Sequence, residues 1–520
     1  MADIRIEPSE EARYLGVYFD KELRFTTHLQ YIAKKGAKFA LAMSSAAKST
    51  WGAQFRYIRQ LFIAVVAPRT DYAAIIWHRP NDKHSQATAQ QSKLETVQRL
   101  AMKTILGSFR TTPTTAMQIE TGLIPPHLRL QSKVLRTLTR MQTLPNSHPL
   151  KEWIEIARNN SNKTTSFPSN LDNLAKQFPE LTTIPSETIR PHIRPPWWTP
   201  TIDTHIEPTK DDAKEYHDQT IYLPTTAYIY TDGSGIDGNI GAAAVCPKSN
   251  DTRYQYLGKE TEYNVYAAEL CAIQLGLEII KANRQFTNGV LYTDNQAAIQ
   301  AVVKPGQQSG QSIILSILDS VDEIQQMRPE FTITIVWVPG HEDIPGNELA
   351  DIEAKKAAQS IGALSTEFAH RAMKSAKNTV IHKNANSTWE TEWENGKERG
   401  QHLRAIMQHP NTMSGPKLYA NIDNISRQQL AWLARLRTGH VSLNQYLFRF
   451  NITPCPRCVC GKSIETVAHF LLRCEIYKEQ RGILREAVGH DRMKVEILLG
   501  DVKKVKALLK YVETTERFEF

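Results

Sequence analysis

The chain has 520 residues, with 63 Lys+Arg against 54 Asp+Glu and a formal net charge of +9. At 41% hydrophobic and 22% charged residues it is globular in composition, neither disordered nor fibrous, and long enough for about three domains. Six cysteines exclude a disulfide scaffold, and +9 over this length is a weak argument for an anionic partner such as nucleic acid.

The opening stretch, Met1 to Tyr14, has no apolar signal-peptide core. The most apolar run, Leu61 to Trp77, is interrupted by Arg69 and Asp71, so no membrane span and no membrane partner are expected. Residues 1–142 read as a mainly helical domain, with helical spacing in His28 to Ser49 and Leu94 to Ile105. Residues 1–150 hold 21 Lys+Arg and 10 Asp+Glu, which is either a solvated helical surface or a face for a phosphate backbone. Residues 143–224 form a Pro-rich linker. Eleven of the chain's 26 prolines fall in 145–224, which prevents long helices and central strands and leaves one short helix around Leu171 to Gln177.

Residues 225–362 change period. Ala227 to Asp232, Ile240 to Val245 and Tyr254 to Lys259 read as strands, the first two joined by the turn GSGIDGN. A helix over Val265 to Lys281 follows. Then come a strand (Val290 to Thr293), two helices (Asn295 to Val303, Ile313 to Met327), a strand (Phe331 to Val338) and a closing helix (Glu348 to Ser360). This order predicts an α/β unit, a mixed five-stranded sheet with flanking helices. Residues 363–450 read as helical. Residues 451–520 hold a Cys/His segment and a Lys-rich amphipathic tail from Lys494 to Thr515.

Four acids stand where acids are unusual: Asp232 and Asp294 ending apolar strands, Glu269 early in a helix, and Asp351 in the first turn of the last helix. Ligands of open α/β sheets bind at the carboxyl ends of strands, so these acids can converge. Converged carboxylates repel unless cations neutralise them, and the chemistry that wants them is two-metal phosphoryl transfer with Mg²⁺. Each acid alone reads as a turn former or a solvated helix face.

The motifs TDGS (Thr231–Ser234), YAAELCAI (Tyr266–Ile273), TDNQAA (Thr293–Ala298) and WVPGHEDIPGNELAD (Trp337–Asp351) give residues 226–362 a resemblance to type 1 ribonuclease H domains. Successive acids are 37, 25 and 57 residues apart, as that fold requires. The resemblance implies that Asp232, Glu269, Asp294 and Asp351 are catalytic and hold two Mg²⁺ ions, with Mn²⁺ as the alternative. It implies that His341 assists proton transfer or product release, and that the substrate is the RNA strand of an RNA/DNA hybrid. Gly233, Ser234, Asn264, Gln296 and Asn347 match groove-lining positions, although Asn347 also reads as a helix N-cap. Two departures stand out: YNVYA replaces the paired Asn of cellular enzymes, and the long basic insertion some of them carry is absent.

The spacing Cys455-x2-Cys458-x10-His469-x4-Cys474 reads as a closed tetrahedral Zn²⁺ site, with Cys460 able to replace Cys455 or Cys458. The surrounding Leu433–Ile452 and Glu475–Arg481, with Tyr14–Phe25, Pro68–Trp77 and Leu94–Pro126, resemble the parts of fungal non-LTR retrotransposon polyproteins that follow the polymerase palm. On this resemblance residues 1–142 are a reverse transcriptase thumb-like remnant, and a palm in the parent element is a partner. The only Asp-Asp pair is Asp211-Asp212, so no polymerase hairpin is expected, and the chain reads as the carboxyl-terminal piece of an element.

The leading expectation is therefore an Mg²⁺-dependent ribonuclease acting on RNA/DNA hybrids in an intracellular setting, nucleus or cytoplasm. The alternatives are a nucleic-acid-binding remnant without catalysis and an inactive structural fragment. The charge splits accordingly. Residues 225–362 hold 9 Lys+Arg and 17 Asp+Glu, a net of −8, so the rest carries +9 − (−8) = +17.

Overall fold

The computed structural model describes residues 9–79, 85–160, 170–179, 181, 184–221, 223–360, 371–396, 400–407, 414–422 and 424–518. The chain divides into two compact units, residues 1–134 with 383–520, and residues 135–382. The helical amino-terminal region, the 363–450 region and the zinc segment expected as successive domains therefore do not stand apart: the amino-terminal helices share one unit with the carboxyl-terminal ones. The boundary expected at 362 lies outside the described residues.

The first unit opens with a short hairpin, β1 (Glu11–Tyr14) against β2 (Val17–Asp20), in a stretch expected to be helical. Helices follow, chief among them Thr26–Ala42 and Ser85–Leu106. Their core is built jointly with distant segments. Ala101, Ile105 and Leu106 lie in one buried cluster with Leu433, Leu436, Phe470 and Leu508.

Polar groups fasten the same join. Arg437, on the helix Arg427–Thr438, is fully buried and pairs with the equally buried Glu120 through two bonds, Nε to Oε2 and Nη2 to Oε1, each 2.8 Å. Tyr419 also donates to Glu120, and Arg437 donates to the Leu499 carbonyl. Arg427 and Arg435 of the same helix donate to the carbonyls of Ile105 and Gly107 at the end of Ser85–Leu106. The last carbonyls of a helix lack internal partners, so cations placed there satisfy them and favour the negative end of the dipole.

The second unit is built on a six-stranded sheet, ordered β3-β8-β7-β4-β5-β6. β4 (Thr226–Ile236), β5 (Asn239–Cys246) and β6 (Asp251–Lys259) form the expected antiparallel meander. β7 (Asn288–Thr293) and β8 (Thr332–Trp337) lie parallel to β4. The sixth strand, β3 (Asp203–His205), runs parallel to β8 and comes from the expected linker.

The sheet is covered on both faces, as parallel strands require. Along β4, Ala227 and Ile229 join Leu270, Ile273, Leu277 and Ile317 on one side. The alternate residues, Tyr228 and Tyr230, join Tyr292, Val336 and Ala350 on the other. The strand period of two thus sorts AYIY into two cores.

The linker is anchored rather than free. It contains the helices Pro149–Asn160, Asn170–Gln177 and Lys210–Thr220 in addition to β3. The buried Lys377 Nζ donates to the carbonyls of Leu181 (2.7 Å) and Ile184 (2.9 Å). Glu187 accepts from the backbone N–H of Gly310 and of Lys374, both at 2.8 Å. Proline density predicts one short helix here, and the described residues hold three, of 12, 8 and 11 residues. It does not forbid one edge strand or a few polar anchors, and these fix the segment to the sheet. No described helix is long and apolar enough to cross a membrane.

Arg437→Ala leaves Glu120 buried without its cation. It is expected to destabilise the first unit by about 3–5 kcal/mol in denaturant titration. In limited proteolysis it should expose 1–134 and 383–518 together, and cleavage confined to one of those segments would contradict the shared unit.

Candidate active site

Three of the predicted acids converge. Ligand atoms of Asp232, Glu269 and Asp294 all lie within 4.8 Å of one another. The sheet brings two of them together by register. β4 and β7 are parallel with Thr231 opposite Thr293, so the next residue on each chain is an aspartate. Asp232 does not end its strand as expected. β4 runs on to Ile236 because its β5 side stays paired up to Ile236 opposite Asn239. Only the β7 side closes at Thr231, and Asp232 sits where β4 loses that neighbour, which is where open sheets part to admit ligands.

Glu269 arrives on the helix Val265–Ala282, whose N-cap is Asn264. Gly233 permits its approach: a Cβ at that position would stand 2.5 Å from the Glu269 backbone nitrogen. Gly340 does the same for Asp294, since a Cβ there would stand 2.5 Å from its Oδ2. The two glycines are small because backbone and carboxylate take the space a side chain would fill.

Asp351 lies outside the tight group of three. Its helix, Pro345–Gln359, begins with Pro345 as its first residue, earlier than expected, so Asp351 is on the second turn. Lys355, one turn further, donates to its Oδ2 at 2.6 Å. Its charge still reaches both Asp232 and Asp294. His341 is exposed, on the Pro339-Gly340 loop in a left-handed conformation (φ 57°), and its charge acts on Asp294.

The electrostatics record the crowding. Burial first, then the charges of Asp294 and Asp351, push the Asp232 carboxyl up to about 7 against the opposing pull of Lys355. Glu269 is held well above the ordinary carboxylate range, by burial first and then by Asp232 and Asp294. Asp294 is raised as well, chiefly by burial, with His341 opposing. Glu269 Oε2 is buried with no hydrogen-bond partner. A buried acceptor that no protein donor meets, beside two more carboxylates, is the donor set of a hard divalent cation.

The remaining predicted positions are placed unevenly. Ser234 is buried on β4 beside the acids, and Gln296 is half-buried as the first residue of the helix Gln296–Val303. Asn264 is used internally: its Oδ1 accepts from the Ala267 N–H at 3.1 Å and its Nδ2 donates to Ser375 Oγ at 3.0 Å. Asn347 is not the helix N-cap, because Ile344 holds that place; it is buried in the first turn, with Oδ1 unpartnered. Sequence reasoning missed Lys355, whose signal was its spacing of four from Asp351, and Trp337, whose Nε1 donates to the Asp294 carbonyl at 3.1 Å.

The second constellation differs from its expected form. The four residues that converge are Cys458, Cys460, His469 and Cys474, again within 4.8 Å, whereas Cys455 is exposed and outside the group. A tight turn explains the exchange. Cys458 N–H donates to the Ser463 carbonyl (2.8 Å) and Gly461 N–H to the Cys458 carbonyl (2.9 Å), which folds Cys460 back over Cys458. Cys458 Sγ stands 3.6 Å from Cys474 Sγ, and Cys460 Sγ stands 3.4 Å from His469 Nε2. Tetrahedral ligands about 2.3 Å from a zinc ion are roughly 3.8 Å apart, so the set fits that ion.

The RNase H family matches residues 224–359, the segment that carries β4 to Pro345–Gln359. A ribonuclease H of Polynucleobacter asymbioticus is 31% identical over 140 residues, which are 25% of this chain and 88% of that protein. The chain belongs to the ribonuclease H family. Larger proteins match part of the chain as well. The 115 kDa protein of the type-1 retrotransposable element R1DM of Drosophila melanogaster is 28% identical over 144 residues, 27% of this chain. That match spans only 13% of the Drosophila protein's length. Among solved structures, LC11-RNase H1 in complex with RNA/DNA hybrid is 18% identical, covering 25% of this chain and 97% of that one, with a TM-score of 0.20.

The raised carboxyls set the pH dependence of the ribonuclease H unit without cations. Asp232 titrates above its unfolded value of 3.8, so the folded state holds the extra proton. Stability from this group is therefore present at low pH and falls as pH rises from about 4 through about 7. In buffer free of divalent cations, Asp232→Asn is expected to be more stable than wild type by about 2–4 kcal/mol at pH 8 and equal to it near pH 4. Thermal unfolding at the two pH values measures the difference, and an equal gain at both would contradict the repulsion.

Proposed function

We propose that the chain is a divalent-metal-dependent endonuclease that cleaves the RNA strand of RNA/DNA hybrids by two-metal phosphodiester hydrolysis. The observation that carries the proposal is the convergence of Asp232, Glu269 and Asp294 within 4.8 Å inside a domain of the ribonuclease H family. Asp232, Glu269, Asp294 and Asp351 would hold the Mg²⁺ ions. When bound, such ions activate the attacking water and stabilise the leaving oxygen.

The chain's own residues do the rest. Gly233 and Gly340 let backbone approach the carboxylates, so the metal-binding geometry exists before substrate arrives. Lys355 orients Asp351 and lowers the cost of its charge beside Asp232. His341, exposed on its loop and electrostatically coupled to Asp294, is positioned to shuttle a proton at the edge of the site. As the water oxygen bonds to phosphorus it gives up a proton, which His341 would accept; the bond to the leaving ribose oxygen breaks, and that oxygen takes up a proton from solvent. Ser234, Gln296 and Asn347 are the polar groups near the acids that would meet the hybrid. Asn264 contributes instead by capping the Glu269 helix.

The flanks extend the reading. Residues 1–142 are proposed as the thumb-like remnant of a non-LTR retrotransposon polymerase, with a palm of the parent element as partner, and a fungal source rests on the motifs alone. Cys458, Cys460, His469 and Cys474 are proposed as a structural Zn²⁺ site, because a closed four-ligand set leaves no position for substrate.

The cleavage proposal is tested on a labelled RNA/DNA hybrid with Mg²⁺ or Mn²⁺. Asp232→Asn and Asp294→Asn are each expected to lower turnover by at least about 1,000-fold. Equal cleavage by all three proteins removes the assignment. Hybrid binding with no cleavage under either metal supports a binding remnant instead. For the second site, elemental analysis is expected to find zinc in wild type and Cys455→Ser but not in Cys460→Ser or Cys474→Ser. Loss of zinc from Cys455→Ser alone would restore the spacing-based ligand set.

A further inference from the structure

The unit formed by residues 1–134 and 383–520 contains a cavity of about 710 Å³ that neither metal site uses. Arg449, His440, His402, Gln401, Gln445 and Tyr446 line it, and among the described residues no carboxylate side chain does. Glu465, next to the lining residue Thr466, is spent: its oxygens accept from Arg517 (2.9 and 2.8 Å) and from the Asn444 N–H (2.6 Å). Burial first, then the charges of Arg449, His402 and Arg99, lowers the His440 proton affinity to about 4, and burial lowers that of His402 as well, so Arg449 is the lasting cation of the lining and the two imidazoles are neutral. A concave surface with donors and no acceptor charge suits an anion.

The rim supplies a second, independent feature. Arg449 lies between Phe448 and Phe450, which are 43% and 40% exposed although both are large and apolar. Phe450 packs against Tyr446 with ring centroids 5.0 Å apart, and Phe109 stacks on Tyr446 at 5.7 Å and 22°. Arg435 lies over Phe109, 4.3 Å from the ring centroid. An aromatic series flanked by guanidinium groups and opening onto a cavity whose described lining holds no acid is the arrangement that stacks unpaired bases while holding their phosphates. Base pairs in a duplex have no free faces to offer Phe448 and Phe450, so the geometry selects a single strand.

We propose that this cavity and its Phe448-Arg449-Phe450 rim bind single-stranded nucleic acid, with phosphates toward Arg449, His440 and His402 and bases on the exposed rings. The choice of ligand rests on the chain acting on nucleic acid, while the site is separate from the carboxylates.

The test uses the full chain and a labelled 15-residue thymidine oligonucleotide, which a ribonuclease does not cut, followed by fluorescence anisotropy over a salt series. Arg449→Ala is expected to weaken binding by roughly 10-fold and to reduce the salt slope by about 1, with Arg449→Lys restoring most of both. Phe448→Ala/Phe450→Ala is expected to weaken binding by at least about 5-fold per base lost from the stack, with the salt slope unchanged. Gln445→Lys, a surface change that adds charge at the lining, should tighten binding and steepen the slope, which guards against variants that merely misfold.

Hybrid cleavage by Arg449→Ala on a short blunt hybrid should equal wild type. An inactive nuclease with variant-sensitive oligonucleotide binding would remove the cleavage reading and leave this site standing. The proposal is overturned if oligonucleotide binding ignores all these substitutions. It is likewise overturned if a 15-base-pair duplex binds as tightly with the same sensitivities, or if inorganic phosphate alone competes fully at equal phosphate concentration.

Discussion

The repulsion between three buried carboxylates is the constraint around which the second unit is built. Asp232, Glu269 and Asp294 would lower their energy by moving apart, and Asp232 and Glu269 respond to confinement by holding protons. What prevents separation is ordinary packing. Ladder bonds between β4 and β7 fix the two aspartates side by side, and the Glu269 helix presses on β4 at a residue with no Cβ. Apolar burial of that helix, with Leu270, Ile273, Leu277 and Ile280 all inaccessible, contributes about 1.5–3 kcal/mol per side chain. A few such residues outweigh the cost of the crowded charges. The fold therefore stores an unfavourable charge arrangement that a divalent cation relieves, which is how a site becomes selective for cations without any dedicated cage.

Charge is divided in the same spirit. The residues around the sheet carry a net of −8, and the remainder +17. A polyanion is repelled by bare carboxylates and attracted by lysine and arginine, so a nuclease needs its cations at the chemistry and its basic side chains away from it. The total of +9 conceals this because the acidic segment offsets about half of the basic excess elsewhere.

Legibility in the sequence followed the range of the interactions. The meander, the Glu269 helix and the parallel strands were readable because each buries a face whose period is local. Asp232, Glu269 and Asp294 were readable because strand ends in such sheets share one side. What depended on distant partners was not. β3 has three residues and no strand pattern of its own; only pairing with Thr334 to Val336 makes it a strand. The anchoring of the proline-rich segment depends on Lys377 and Glu187, each of which reads as an ordinary surface charge until its backbone partners are placed. The pooling of residues 1–134 with 383–520 depends on Arg437 meeting Glu120 across 317 positions, which no local pattern reports. Asn264, expected in the groove, is spent on capping the Glu269 helix and on Ser375, and Asn347 does not cap its helix because Pro345 starts that helix early and leaves Asn347 inside the first turn.

The cysteine segment shows why spacing alone underdetermines a ligand set. Cys455-x2-Cys458 and Cys458-x-Cys460 are both acceptable on paper. The turn decides between them, because Gly461 at φ 75° with the bond from its N–H to Cys458 reverses the chain directly after Cys460. Cys460 then receives a hydrogen bond from the Lys462 N–H, the first cause of its lowered proton affinity. A thiolate is what a metal binds, so the backbone prepares Cys460 as a ligand while Cys455 stays in solvent. The same logic separates the chain's two metal-type sites. The carboxylates keep an unsatisfied oxygen and open at a strand end, as chemistry needs. The thiol set closes on itself beside Phe470 of the shared core, which is what the proposed structural zinc site requires.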